Sequence, residues 1–516
     1  MAPAKKAHQY LYRNWVSYGG GIVAVIGLLL VLFGMLLGFG MNEPSPYFGI
    51  FTFVLFPSII VLGLLVVLAG MYFEARRRVR VGVAEALPYP AIDLNEPRIR
   101  RRFAIVAVVG AVLLVVFAFA GYNGFLLTES VGFCGETCHV MRPEHIAYLN
   151  SPHARVRCVD CHVGEGAGWY VHSKLSGVRQ LLAVTFKTYE TPIPTPVHDL
   201  RPARETCLHC HWPEKFAKAQ LYQRPHFRYD EKNTAEQITM LIKTGGGGEN
   251  GAGIHWHMFI ENKVEYVAED AHLQEIPWFR VTRRKDGSSV EYFRTDKPLN
   301  KEQLDGMKKH EMDCMDCHNR PAHGFEPPDV AVDRALAAGN LSTTLPYAKS
   351  MAVDALARDY PDEQAAHTGL KADVEQFYAK KYPDVAATRA KDIEQAVATI
   401  SAIYDRNVFP EMKVSWNTYP QNIGHRNWAG CFRCHDGKHA TADGKVLTNE
   451  CKLCHTEPQR GPQSGMGEAM RVTEQNWHPW EIPEKHLAIK KHASIPCYEC
   501  HLAGRRPKTD CKDCHH

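Results

Sequence analysis

Residues 132–145 read "GFCGETCHVMRPEH". The stretch is one residue longer than the C-x-x-C-H signature of covalently attached haem. Three residues separate Cys134 from Cys138, His139 follows directly, and Met141 stands two residues behind it. It is either a worn copy of a common motif or a haem site built differently, and the rest of the chain decides which.

The 16 cysteines of the 516-residue chain form eight pairs, each followed by a histidine. Seven are C-x-x-C-H. The first three of these are Cys158, Cys161 with His162; Cys207, Cys210 with His211; and Cys314, Cys317 with His318. The next two are Cys431, Cys434 with His435, and Cys451, Cys454 with His455. The last two are Cys497, Cys500 with His501, and Cys511, Cys514 with His515. The eighth pair is the opening variant, Cys134 and Cys138 with His139. Two thiols add to the vinyl groups of haem, and the next residue brings its imidazole under the iron. Zinc sites, redox pairs and disulfides share the C-x-x-C spacing. Eight copies, each with an adjacent histidine and no cysteine left over, set those readings aside. The sequence reads as an octahaem c-type cytochrome with eight covalently bound haem c groups.

Three apolar runs reach the roughly 20 residues a helix needs to span a bilayer. They are residues 21–39, 48–73 (interrupted by Pro57) and 103–127, and none contains a charged residue. Lys5, Lys6 and Arg13 precede the first run, whereas the following "MNEPSP" has no positive charge. The loop 74–102 carries Arg76, Arg77, Arg78, Arg80, Arg98, Arg100, Arg101 and Arg102. Positive charge marks the cytoplasmic side. The N-terminus and this loop are therefore expected there, in the bacterial inner membrane, with residue 128 onward in the periplasm. The first run lacks a small-residue cleavage site and is expected to be retained. The net charge of +4 gives no case for nucleic-acid binding, and topology accounts for the basic loop. The runs contain no histidine to hold haem b and no Asp, Glu or Lys for a proton relay. Electron exchange with the membrane pool is then expected at the outer surface, beside the first motif.

Residues 128–516 are too few for an ordinary core around eight haems, so haem faces are expected to supply much of the packing. "IHWHMFIENKVEYVAED" (254–270) and "WFRVTRRKDGSSVEYF" (278–293) suggest two hairpins, turning at Glu261-Asn262 and Asp286-Gly287. Residues 328–405 lack cysteine and carry helical spacing, as in "KDIEQAVATISAIY". "TGGGGENGAG" (244–253) lacks the Gly-Lys-Ser/Thr ending of a phosphate loop and reads as a linker.

Of the 27 histidines, eight follow motif cysteines, which leaves 19 for the distal positions. His153, His310, His425 and His492 each sit four to six residues ahead of a motif. Tethered beside their own haem's attached edge, they reach a neighbouring haem more readily than the far face of their own. Further distal candidates are His226, His255, His257, His323, His439, His478 and His486, with a surface histidine the alternative at each. Strand alternation would put the rings of His255 and His257 on one face, with one of them binding iron. Two protein ligands on most irons make a conductor.

The stretch "GFCGETCHVMRPEHIAYLNSPHARVRCVDCHVGEGAGWYVHSKLSG" (132–177) resembles the NapC/NirT/NrfH family of membrane-anchored quinol dehydrogenases. "CMDCHNRPAH" and "SWNTYPQNIGHRNWAGCFRCHDGKH" resemble the larger multihaem inner-membrane cytochromes of metal-respiring bacteria, of the ImcH kind. The resemblance implies that Met141 replaces His139 as axial ligand of the first haem, leaving a weakly ligated or open iron beside the quinol site. It implies that His153 serves a different haem and that Lys174 hydrogen-bonds quinol. The family's carboxylate further along is absent, with Gln180 in that region, so Glu136 or Glu144 is the expected substitute. The two extra spans and the long gap between Cys210 and Cys314 depart from the small-family pattern.

The expected architecture is a membrane-anchored multihaem cytochrome c. It has three transmembrane helices and a mostly α/irregular, haem-packed periplasmic domain with small β-hairpins. Residues 1–127 form the anchor, 128–215 a NapC/NrfH-like region with three haems, 216–300 a β-hairpin insertion, and 301–516 a region with five haems. The expected function is oxidation of membrane quinol, menaquinol in particular, with electrons passed along the haems to periplasmic or outer-membrane cytochromes or reductases. Two other classes stay open: a relay subunit of a larger membrane complex, and a reductase of a small nitrogen compound or oxyanion.

Overall fold

The structure, a computed structural model, describes residues 11–39, 48, 51–80, 94–164, 166–195, 202–212, 219–245, 253–258, 262–456, 458–462 and 478–479. The expected haem-attachment residues Cys497, Cys500, Cys511 and Cys514 lie outside the described residues, and so do their motif histidines, His501 and His515. The distal candidates His486 and His492 and residues 246–252 of the glycine tract lie outside them as well. The chain divides into two units, Met1–Met141 with Arg157–Val159, and Arg142–Val156 with Asp160–His516.

The first unit holds three long helices, α1 (Trp15–Phe39), α2 (Phe56–Arg80) and α3 (Pro97–Thr128). Each is long and apolar enough to cross a membrane. Helices α2 and α3 run beyond the apolar stretches into Arg76–Arg80 and Arg98–Arg102. Arginine is a good helix former, and its long stem lets the charge reach water from a helix end. Pro57 does not break α2. It occupies the second position, where its missing N–H costs nothing, after a π-helical turn at Phe51–Leu55. Helices α1 and α2 pack along a glycine seam. A Cβ on Gly63 would lie 2.5 Å from the Ala24 nitrogen, and one on Gly20 would lie 2.7 Å from the Gly63 carbonyl oxygen. In lipid, where burial gives little drive, such close backbone approach is what joins helices. Asn14 and Ser17 add hydrogen bonds to the carbonyls of Gly70 (3.1 Å) and Val67 (3.2 Å).

Beyond α3 come short helices around the early motifs: α4 (Arg142–Leu149), α5 (Cys158–His162), α6 (Ala167–Thr185) and α7 (Ala203–Cys207). The second unit then contains two antiparallel sheets. In the first, β1 (Ala219–Phe227) and β2 (Ala235–Lys243) form a long hairpin, extended by β8 (Gln459–Pro462) and β9 (His478–Pro479). The second has the order β6-β3-β4-β5-β7, built from β3 (Asn262–Val267), β4 (Trp278–Arg283), β5 (Ser289–Arg294), β6 (His310–Glu311) and β7 (His439–Ala440). Tyr266 and Val267 point to opposite faces of β3, and both are buried. Tyr266 packs with Ile276 and Phe279, Val267 with Trp278 and Leu304, so this sheet is covered on both sides.

Of the two expected hairpins, the second is present. Gly287 adopts φ +71° in the turn between β4 and β5. The first is not, because Asn262 starts β3, which pairs with β4 across a longer loop. The segment before it, Ile254–Met258, is a 3₁₀ helix and not a strand, which overturns the one-face reading of His255 and His257. The apparent alternation came from four polar-aromatic positions, too few to separate the two periods. The strands expected as an insertion at 216–300 take partners from 310–311, 439–440 and 459–462.

Helices fill the stretch around and after the fourth motif: α8 (Lys301–Gly306), α9 (Cys314–Cys317), α10 (Pro328–Ala337), α11 (Ala348–Leu356), α12 (Glu363–Lys381), α13 (Pro383–Thr388) and α14 (Ala390–Asn407). Leu341, Leu345, Leu356, Leu370, Val374 and Ile400 form their fully buried centre, each worth roughly 1.5–3 kcal/mol over an exposed position.

Candidate haem centres

Among the described residues, five motif histidines each face a second histidine. His162 lies 6.1 Å from His323 between ring centroids, His211 6.0 Å from His153, and His318 6.4 Å from His255. His435 lies 6.0 Å from His257, and His455 6.2 Å from His425. Two imidazoles on one metal, each bonded at about 2 Å, have centroids about 6 Å apart. Five independent pairs sharing that separation fit a bis-imidazole haem iron, and none of the twelve described cysteines is tied up in a disulfide, as thioether bonds to haem require. The remaining four cysteines expected to attach haem, Cys497, Cys500, Cys511 and Cys514, and the ring positions of His501 and His515 belong to the chain outside the described residues.

The hydrogen bonds fit as well. A ligating histidine donates its other ring N–H to a carbonyl or carboxylate, which fixes the tautomer. His153 Nδ1 donates to Pro321 O (3.1 Å), His323 to Glu144 O (3.0 Å), His255 to Thr244 O (2.7 Å) and His257 to Ile254 O (2.9 Å). On the motif side, His435 Nδ1 donates to Thr448 O (2.8 Å) and His455 Nδ1 to Thr456 O (2.6 Å). His425 differs, because its Nδ1 is buried without a protein partner. Burial pushes the pKa of His162, His257, His318, His323 and His425 below the ordinary histidine value. Their imidazoles are thus kept in the neutral form that binds metal.

The pairing crosses motifs. His153, just ahead of the second motif, faces the histidine of the third, and His425, just ahead of the fifth, faces that of the sixth. His323 follows the fourth motif and faces the histidine of the second. Both His255 and His257 face motif histidines, where one had been expected to. The attachment sulfurs are also neighbours in chain order. Cys134 is hydrogen-bonded to Cys158 and Cys207 to Cys314, while Cys161 lies within electrostatic reach of Cys207, Cys317 of Cys431, and Cys431 of Cys454.

Three candidates have their rings placed otherwise, and a fourth is described by its backbone alone. His439 is fully buried, with Nδ1 on Asp436 Oδ1 (2.8 Å) and Nε2 on Ile276 O (2.7 Å), so both nitrogens are engaged within the protein. His226 points Nδ1 at Asp333 Oδ2 (3.2 Å). His310 stacks on Tyr266 at 5.3 Å. His478 opens the short strand β9.

Around the first motif, Phe133–Thr137 forms a π-helical turn and His139–Met141 a 3₁₀ turn. The Met141 nitrogen donates to Cys138 O at 2.8 Å, and Val140 is buried. The inserted residue is thereby absorbed in a widened helical turn. Glu136 is exposed. Glu144 is buried, with both oxygens on Arg320 Nη2 (3.1 and 3.0 Å), a partner that sequence reasoning had not supplied. Lys174 lies over the Tyr170 ring (4.9 Å) on α6, and Gln180 donates to Ser176 Oγ (3.2 Å). The same helix exposes Val171, Leu175, Val178 and Leu182, which recur at helical spacing as an apolar stripe.

Residues 97–204 match the NapC/NirT cytochrome c family, N-terminal region. The chain is 42% identical over 507 residues to the cytochrome c-type protein ImcH of Geobacter sulfurreducens, covering 97% of each. It is 29% identical over 104 residues to the cytochrome c-type protein NrfH of Wolinella succinogenes, covering 20% of this chain and 59% of that protein. No solved structure matches the chain. Spans, cysteine motifs and histidine pairs together define a membrane-anchored multihaem cytochrome c carrying covalently bound haem c. The chain belongs to the family of the cytochrome c-type protein ImcH.

Proposed function

We propose that this protein carries eight haem c groups, oxidises membrane quinol (menaquinol in particular) at the periplasmic surface, and delivers the electrons to periplasmic or outer-membrane acceptors. Haem c supplies one-electron carriers, which quinol oxidation in single steps requires. His153, His323 and His425 act as distal ligands for the haems held by Cys207 and Cys210, by Cys158 and Cys161, and by Cys451 and Cys454. The ring separations of 6.0, 6.1 and 6.2 Å support this assignment. The chain-order proximity of the attachment sulfurs supports a single file of the first six groups.

The observation that carries the quinol reading is helix α6. Its apolar stripe suits the boundary of a bilayer, where a helix lies with that face in the acyl region, and Lys174 stands on the same helix. An ammonium there donates a hydrogen bond to a quinol oxygen and positions the ring. Glu144 is committed to Arg320, so Glu136, within the first motif, is the carboxylate assigned to proton uptake. Protons and electrons then leave on one side of the membrane, and this step builds no potential.

The test is Lys174→Met in the full-length protein in detergent, reduced anaerobically by a menaquinol analogue. Loss of one substrate hydrogen bond predicts haem reduction roughly tenfold slower, with dithionite reduction unchanged. An unchanged quinol rate removes Lys174 from the donor site.

A further inference from the structure

Two of the five histidine pairs share one short turn. Ile254–Met258 is a 3₁₀ helix that carries His255 and His257 with only Trp256 between them. With three residues per turn, side chains two positions apart diverge by about 120°. The rings accordingly reach different motifs: His255 lies 6.4 Å from His318 at an interplanar angle of 12°, and His257 lies 6.0 Å from His435 at 85°. Each Nδ1 donates to a carbonyl, Thr244 O for His255 and Ile254 O for His257, which assigns the metal-binding role in each ring to Nε2.

The turn is firmly seated. Asn262 Nδ2 donates to Trp256 O at 2.9 Å, and the Trp256 nitrogen donates to Gly253 O at 3.0 Å. Gly253 is packed so tightly that a Cβ there would lie 2.1 Å from Gly245 O and 2.6 Å from Lys243 O. The two motifs it addresses are themselves adjacent, since Cys317 lies within electrostatic reach of Cys431 and Cys434.

We propose that the turn Ile254–Met258 is a two-haem clamp. His255 Nε2 is the distal ligand of the haem on Cys314 and Cys317, and His257 Nε2 is the distal ligand of the haem on Cys431 and Cys434. The single intervening residue fixes the two groups against each other, so the fourth and fifth carriers form a rigid pair in the middle of the chain. The ring angles further set different ligand fields, near-parallel imidazole planes on one iron and near-perpendicular planes on the other. The clamp rests on the presence of haem c and not on quinol as donor, so the two readings fail separately.

The experiment is electron paramagnetic resonance of the oxidised full-length protein in detergent, with haem content measured alongside. Near-parallel bis-imidazole planes give a rhombic low-spin signal, and near-perpendicular planes a strongly anisotropic one. His257→Met is expected to remove one anisotropic component and spare the rhombic ones. His255→Met is expected to remove one rhombic component and spare the anisotropic ones, with haem content unchanged in both. If either variant leaves every low-spin component in place, or both remove the same one, the clamp is overturned. Should the variants not accumulate, the unaltered protein decides: a spectrum without any strongly anisotropic low-spin component overturns the assignment of His257, and its presence supports it.

Discussion

Asp333→Asn addresses the most deeply buried charge cluster among the described residues. Asp333 is 2% exposed in its side chain and Lys349 0%. Asp333 Oδ1 accepts from Lys349 Nζ (2.5 Å) and the Phe227 nitrogen (3.0 Å), while Oδ2 faces His226 Nδ1 (3.2 Å) and Arg224 Nη2 (4.0 Å). The amide keeps the shape and one acceptor but leaves the Lys349 ammonium buried with only the Phe227 carbonyl (2.6 Å) as a strong partner. Removing one member of a buried pair costs about 3–5 kcal/mol, far more than the net worth of the pair. The double variant Asp333→Asn, Lys349→Met removes the stranded charge and is expected to recover most of that loss. Urea unfolding of the second unit, followed by amide exchange at Phe227, reads the difference. A single variant within about 1 kcal/mol of the unaltered protein would refute the reasoning, since it would mean water already screens the cluster.

The same cluster makes stability depend on pH. Burial holds the His226 pKa below its ordinary value, despite Asp333, with Lys349 and Arg224 also opposing its charge. Below about 6.5 the unfolded chain takes up a proton that the fold refuses, so stability falls as pH drops, and His226→Gln is expected to remove that part of the slope. His226→Gln and His439→Gln are both expected to leave the low-spin haem spectrum intact, because neither ring faces a motif histidine among the described residues; loss of a low-spin component in either would restore it as a ligand. Glu144→Gln strands the Arg320 guanidinium and is expected to cost about 3 kcal/mol. It spares the spectrum, because His323 is held by the Glu144 backbone carbonyl. In the membrane unit, Gly63→Val drives a side chain into Ala24 and should lower the detergent melting temperature, whereas Gly21→Val meets nothing within 4 Å and should be neutral.

What the sequence disclosed and what it withheld follow from the range of the forces involved. The cysteine motifs are local covalent chemistry, and the spans are local hydropathy, so both were legible without a fold. The distal ligands are not local. The candidates ahead of a motif were found from tether length, and His153 and His425 do face neighbouring motifs, but the same rule named His310, which stacks on Tyr266 instead. Nothing in the spacing marked His323 for the second motif, because that pairing depends on Arg320 and Glu144 drawing the two segments together. His255 and His257 were read with the wrong period. In a segment of five residues the carbonyls of Thr244 and Ile254, invisible as side-chain pattern, decide the backbone and aim the rings.

The central claim is that electrons from membrane quinol flow into this haem file. The direct measurement is anaerobic mixing of the purified full-length protein with a menaquinol analogue in detergent, followed at the haem absorption bands. Reduction of a substantial fraction of the haem, slowed by Lys174→Met and completed by dithionite, is the predicted result. Haem that stays fully oxidised with quinol yet reduces with dithionite would contradict the account and favour a relay role behind another quinol-oxidising subunit.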